Sequence, residues 1–541
     1  MARFGIGFAL GSVLALSVLG LFLFIISALV FYLGDLYGAF GLVGLLVLEA
    51  ILFIGVWRVS PWVSDKLYEW LYKLRWMTPE ELSAQDSQLY KFLEATCKSE
   101  GIKTPRFGMI DDENPQAFTY GSDHWNARIV FTKGVFTFLN PDERRAVLAH
   151  ELGHVVHRDF IVMTLASFIL TALYTMGRVF LSSGKSSSNG GRKSGGLAFI
   201  GIISLAFYYV GTYVLLYLSR TREYWADEYA REKTGSGNYL ASALVKIAYG
   251  IVSTVDTEKT KSLMEGTRTL GIYDFNSSKA FGLVGSDYVH NGDKQTVMNA
   301  IAFDLKNLWA FWLELSSSHP LTGKRIKQLL ENEPSPVFDV RRAEVLDFDV
   351  NRHYGEFFAD LAMKYLWLFL GVIGLTGFAF GLKAGLAGLL VGIGLGLFLR
   401  ALYAFPSRAP SSTTIDDLMS DLYASPVRGR PCALNGELVG RGVPGFEFSE
   451  DFMFRDSTGL IYLDYQHGIP LLGNLLFAVT KAKSLLGGKA KCKGWFYRGL
   501  GQHVALDYLE TSDGRIISRQ KTLSLLGASA FAAIGLVVIA L

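Results

Sequence analysis

From residue 4 to residue 33 the chain runs for thirty positions without a charged side chain, which excludes an ordinary soluble fold for this stretch. A backbone in hydrocarbon must satisfy its own hydrogen bonds, so an apolar run of about 20 residues becomes a membrane-crossing helix. The same reading applies to residues 36–57, which carry Glu49, and to 160–180 and 197–218. It applies again to 365–382 and 384–399, divided by Lys383 and dense in glycine, and to 522–541. Small residues at those spacings let membrane helices approach closely. Half of all residues are hydrophobic, 19% are charged and the mean hydropathy is +0.28, as expected of a polytopic membrane protein.

Charge gives the orientation. Arg3, and Arg58, Lys66, Lys73 and Arg75 after the second segment, are expected on the cytoplasmic side, with the Gly34-Asp35 turn outside. Residues 182–196, rich in Ser and Gly, read as a flexible linker. Their Lys185, Arg192 and Lys193 run against the charge rule if 160–218 crosses fully, and a partly inserted hairpin is the alternative. A net charge of +3 gives no ground for nucleic-acid binding. Cys97, Cys432 and Cys492 form no C-x-x-C pair, so neither a zinc ribbon nor a disulfide framework is expected, and a reducing compartment fits.

The chemistry centres on Ala149-His150-Glu151-Leu152-Gly153-His154. On a helix, positions i and i+4 share a face, so His150 and His154 can offer imidazole nitrogens to one ion. Glu151 lies where a carboxylate can take a proton from water beside that ion. Asn140 as N-cap, Pro141 at the first helical position and Glu143 as capping-box partner start this helix. It is expected to run to about Asp159 and on into 160–180. Two histidines need a third protein ligand, and Glu223 is the choice, with Asp227 one turn later to accept from a ligating histidine. The competing reading pairs both acids with Arg220, Arg222 or Arg231. By helix rise, His154 stands ~9 Å before one apolar segment and Glu223 ~7.5 Å beyond another, at matching heights above the membrane. His319, before Pro320 and a basic helix, can reach back to the site and stabilise an oxyanion.

Elsewhere, Thr78-Pro79-Glu80-Glu81 starts a helix toward Lys98. Residues 106–110 and 127–131 read as strands. Between them lies Asn114-Pro115-Gln116-Ala117-Phe118-Thr119-Tyr120-Gly121, which supplies either an exposed edge for an extended peptide or an internal strand. Residues 254–293 read as a loop or lid. Residues 425–519 alternate as short strands broken by Gly and Asp, and are expected to form a small β-rich, OB-like domain with an amphipathic insert at 471–479.

H-E-L-G-H, then S-R-x-x-E-Y-x-A-D after an apolar hairpin, then S-S-H-P-L-x-x-K-R-I, resembles the HtpX-type membrane zinc metalloproteases, relatives of the CaaX prenyl proteases. The 114–121 segment is similar to their N-x-x-A-F-x-x-G element. The resemblance covers residues 1–335. It implies a gluzincin-type domain, one zinc per chain held by His150, His154 and Glu223, Glu151 as base and His319 as transition-state helper. It also implies polypeptide substrates, membrane proteins above all, at Asn114, Ala117 and Phe118, and a cytoplasm-facing site for quality control in the cell membrane. The expected architecture is mainly α: a membrane hairpin at 1–57, a peptidase domain at 58–335 containing hairpin 160–218, a linker and second hairpin at 336–404, a β-rich domain at 405–521 and an anchor at 522–541. Two readings compete: a CaaX-type prenyl-peptide protease, which needs a large intramembrane chamber, and a non-enzymatic scaffold recruiting partners through the β domain.

Overall fold

The computed structural model describes residues 36–186, 192–253, 281–282, 285, 288–442, 449–499 and 501–541. The expected span at 4–33, the Gly34-Asp35 turn and most of the expected lid at 254–293 lie outside the described residues.

Helix α1 (Leu36–Tyr72) carries the apolar run at 36–57 straight into an amphipathic end. That end is fixed by a buried ion pair: Asp65 accepts from Arg128 at 3.0 Å and from the Tyr120 hydroxyl at 2.8 Å. Strands β1 (Arg75–Trp76), β2 (Arg106–Ile110), β3 (Ala117–Tyr120) and β4 (Arg128–Thr132) form a sheet in the order β1-β2-β4-β3, which leaves β3 at an edge. The helix expected from Thr78 toward Lys98 is two helices, Pro79–Gln85 and Ser87–Glu100. Asp86, in extended backbone, ends the first and caps the second by accepting the Leu89 N–H, a local bond that competes with continuing the helix.

Helix α2 (Pro141–Val156) begins with the expected reciprocal cap of Asn140 and Glu143. It does not flow into the next segment. Arg158 takes φ +57, a left-handed turn, and α3 (Asp159–Ser186) starts on a new axis. Helix α4 (Arg192–Thr234) packs along α3 through Leu170, Leu173, Met176, Ile200 and Leu218. Both helices reach into the stretch expected as a flexible linker, so only 187–191 of it lie outside the described residues. Helices α5 (Gly237–Ser253), α6 (Gln295–Lys306) and α7 (Thr322–Leu330) close over α2 around Val147, Leu148, Leu152, Leu244, Ile301 and Ile326. Helices α8 (Val350–Gly374) and α9 (Leu382–Ala404) follow as a hairpin.

The β-rich part is a closed barrel. Strands β5 (Arg430–Arg441), β6 (Phe452–Arg455), β7 (Leu460–Asp464), β8 (Lys489–Arg498) and β9 (Gln502–Thr511) pair in the ring β5-β6-β7-β9-β8-β5, parallel only between β7 and β9. Helix α10 (Leu472–Thr480) crosses between β7 and β8. Strand β10 (Gly514–Ile517) extends β9 as a hairpin. Cys432 and Cys492 are free thiols in the barrel interior beside Leu434, Phe454, Phe496 and Val504.

Helix α11 (Gln520–Ala540) leaves the barrel and packs on α9. Glycines make this bundle tight: a Cβ on Gly374 would fall 2.0 Å from the Gly388 carbonyl oxygen. Among the described residues, α3, α4 from Ala198, α8 with the turn after it, α9 and α11 are long and apolar enough to cross a membrane. The chain is a multi-pass membrane protein.

The barrel is not a free appendage. Arg498 of β8 lies 3.8 Å from the Phe303 ring centre on α6, and Asn307 donates to the Leu422 carbonyl at 2.8 Å. Beside that contact, Asp304 is buried and accepts the Gly323 N–H of α7 at 2.9 Å. Burial pushes its carboxyl up to about 7, against the opposing pull of the Gly323 N–H and Arg498. A carboxyl raised on folding holds its proton longer in the native state. Its contribution is therefore full below pH ~4 and is lost as pH rises through about 7, at most ~4 kcal/mol. Asp304→Asn keeps the acceptor oxygen and removes the charge. Thermal unfolding of the detergent-solubilised variant is expected to show a higher midpoint than wild type at pH 8 and no gain at pH 4. An equal or larger gain at the acid end would contradict this.

Candidate metal centre

The site is built where α2, α4 and α7 meet. Gly153 permits the approach of α2 to α4, since a Cβ there would stand 3.0 Å from Ala226 Cα. Any larger residue at 153 would spread His154 from the acids of α4. The closeness brings Nε2 of His150 and Nε2 of His154 to 3.3 Å, each 3.6 Å from a different oxygen of Glu223. The three candidate ligand atoms lie within 4.8 Å of one another. All three residues are almost wholly inaccessible.

The outer nitrogens of the imidazoles are each faced by an acid. His150 Nδ1 is 3.0 Å from Asp227 Oδ1, and His154 Nδ1 is 2.7 Å from Asp159 Oδ2. A carboxylate on Nδ1 fixes the tautomer so that Nε2 presents its lone pair inward. Arg325 donates twice to Asp227, at 2.8 and 2.7 Å, and stands 3.7 Å from Glu223. Arg222 lies 2.9 Å from Asp159.

Glu151 is buried, and burial pushes its carboxyl up. The Thr119 hydroxyl on β3 donates to its Oε2 at 2.5 Å, while Oε1 is buried without a hydrogen-bond partner. Glu223 Oε2 is likewise buried without one. Two converging Nε2 atoms and two buried carboxylate oxygens without a hydrogen bond fit a bound cation, since a buried acceptor lacking one otherwise costs ~1–3 kcal/mol. His319 Nε2 stands 3.7 Å from Glu223 Oε1. Its loop is held by Arg220, which donates to the carbonyls of Glu314 at 2.9 Å and Ser317 at 2.8 Å.

Of the residues expected from sequence, His150, Glu151, His154, Glu223, Asp227 and His319 come together here. The suspected arginine partners do not pair with Glu223 and Asp227: Arg220 holds the His319 loop, Arg222 serves Asp159 and Arg231 pairs with Glu228. Phe118 does not face the site. Strand alternation turns it and Tyr120 toward Tyr68 of α1, 5.6 Å between the Phe118 and Tyr68 rings, and turns Thr119 toward Glu151 instead. Asn114 is buried at the approach to β3 and Ala117 is the buried first residue of that strand, the Asn114 carbonyl accepting from Thr132 at 2.6 Å. Sequence reasoning missed Asp159, Arg325 and Thr119. The signal for Asp159 was a lone acid at the mouth of an apolar segment, five residues past His154.

The family model described as peptidase family M48 matches residues 83–333, which include every residue named at the site. The HtpX protease homologue of Methanothermobacter thermautotrophicus is 31% identical over 198 residues, 37% of this chain and 72% of that one. The second HtpX protease homologue of Methanosarcina acetivorans is 32% identical over 232 residues, 43% of this chain and 77% of its own. That of Aeropyrum pernix is 29% identical over 277 residues, covering 50% and 81%. Helices α8, α9 and α11 and the barrel lie beyond the family match. With the membrane helices and the buried His, His and Glu cluster inside the matched region, the chain belongs to peptidase family M48, among the HtpX-type membrane proteases.

Proposed function

We propose that the chain is a zinc-dependent endopeptidase, with one ion per chain, that hydrolyses membrane and misfolded polypeptides at the cytoplasmic face in protein quality control. The observation that carries this is the convergence of His150, His154 and Glu223 within 4.8 Å beside the unpaired oxygen of Glu151. Two imidazoles and a carboxylate are a catalytic zinc set that leaves a coordination position open. An ion there would supply a Lewis acid that brings the pKa of water toward ~7 and polarises a peptide carbonyl.

The chain's own groups do the rest. Thr119 fixes Glu151 Oε2, so Oε1 takes the proton of the attacking water and returns it to the departing amine. Asp227 and Asp159 hold the two imidazoles in register. His319, steadied by Pro320 and the Arg220 clamp, donates to the carbonyl oxygen as it gains charge. The substrate lies extended along edge strand β3 and is gripped by backbone hydrogen bonds, with Ala117 and Phe118 contributing main chain and Asn114 at the entrance. The basic residues that follow the 36–57 segment support the cytoplasmic orientation. The start of α3 at Asp159, a site residue, supports substrates near the membrane surface.

Treatment with dipicolinate is expected to remove cleavage of an unfolded substrate by reconstituted protein, and equimolar zinc to restore it. Activity insensitive to the chelator but lost to a serine-directed phosphonate would overturn the reading.

A further inference from the structure

Helix α10 turns its apolar stripe away from the barrel that carries it. Leu472, Leu475, Leu476 and Val479 recur at i, i+3, i+4 and i+7, each between 46 and 75% exposed. Ile469 and Leu471 continue the stripe, and Leu471 is 84% exposed with φ at +62, a conformation leucine rarely takes. The opposite face is packed: Gly473, Asn474, Phe477 and Ala478 are buried, with Phe477 stacked 4.2 Å from Tyr465. No charge occurs from Ile469 to Thr480, and Lys481 and Lys483 follow directly. A solvated helix would carry polar residues on its outer face.

The position of the stripe names its occupant. The Arg519 N–H, at the start of α11, donates to the Gln466 carbonyl at 2.8 Å, and Gln520 donates to Asp464 at 2.9 Å. The His467 N–H donates to Asn474 in the first turn of α10 at 2.8 Å. Two residues, Gln466 and His467, therefore link the start of a membrane span to the start of α10. The same end of the barrel is tied to the exit of α9: Trp495 donates to the Pro406 carbonyl at 2.9 Å, Tyr497 to that of Ala404 at 2.6 Å, and Lys521 to Ser407 at 3.0 Å. The stripe thus stands at the height where α9 and α11 meet the bilayer surface; Lys481 and Lys483 follow it directly in the chain, and Arg519 and Lys521 open α11.

We propose that α10 is an in-plane membrane anchor, its leucine stripe sunk at the boundary of headgroups and acyl chains and its flanking lysines against anionic lipid headgroups. With α9 and α11 it pins the barrel flat on the leaflet. Through the contact of Arg498 with Phe303 of α6 the barrel then sets the height of the peptidase helices over the membrane.

The test uses the full chain in vesicles of equal parts phosphatidylcholine and phosphatidylglycerol, with a nitroxide on Leu476→Cys or, as reference, on Ser457→Cys in the exposed turn at the far end of β7. The native cysteines are buried. Collisions with lipid-dissolved oxygen are expected to exceed those with a water-soluble nickel chelate several-fold at 476, and the ratio to invert at 457. Nickel-dominated relaxation at both sites would overturn the anchor. So would a 476 label shielded from both reagents and broadened by a second spin, which would mean that another copy covers the stripe.

Discussion

Glu151→Gln is expected to abolish peptide hydrolysis while the protein stays folded and keeps its metal. The amide has the shape of the acid and can still accept from Thr119, 2.5 Å away in the wild type, so the buried packing around residue 151 is kept. Removing a carboxyl that burial already pushes up costs the fold little. The amide cannot take a proton at neutral pH, so the transfer from water to amine is lost, a factor of at least ~10³ in kcat. Circular dichroism, metal content and cleavage of an unfolded membrane substrate measure the three parts separately. A variant that cleaves within ten-fold of wild type would move the base to another residue.

Arg325→Ala is the substitution outside the proposed catalytic residues with the largest expected effect. Its guanidinium is buried, holds Asp227 with two hydrogen bonds and lies 3.7 Å from Glu223. Alanine would leave two buried carboxylates short of a cation, at a cost of ~3–5 kcal/mol. The loss should be greater in the metal-free protein, where no ion offsets Glu223. Freed from Arg325, Asp227 would orient His150 poorly, and zinc affinity should fall ~10–100-fold. Arg325→Lys should recover only part of both, because an ammonium cannot make the paired contact. Chemical unfolding with and without chelator, alongside competition with a zinc dye, reads both quantities. A loss under ~1 kcal/mol in both states would show that Arg325 is not the counter-charge of the site.

Much of this architecture was legible because its causes are local. The span of α2 up to His154 follows from Asn140, Pro141 and Glu143 and the apolar face behind them, and the spacing of His150 and His154 fixes their common direction. Glu223 was found because a two-histidine site is chemically incomplete. What escaped depends on three-dimensional placement. Arginine has no preference for a left-handed backbone, so the break at Arg158 leaves no mark in the sequence, yet it turns Asp159 back onto His154. Arg325 lies 98 residues from Asp227 along the chain, and although it falls in the motif after His319, nothing in that motif says which acid it meets. Phe118 fits the motif by type, but the face it occupies is set by the register of β3 against β4. The ring of the barrel likewise depends on β8 pairing with both β5 and β9, which no single strand reveals.

The convergence of three side chains on one ion is tested most directly by zinc content. Purified wild type and Glu151→Gln should each carry one zinc per chain by elemental analysis. Glu223→Gln should carry almost none after dialysis against a mild chelator, with its helical content unchanged. A Glu223→Gln protein that keeps a full equivalent of zinc would contradict the ligand assignment and, with it, the proposed peptidase chemistry.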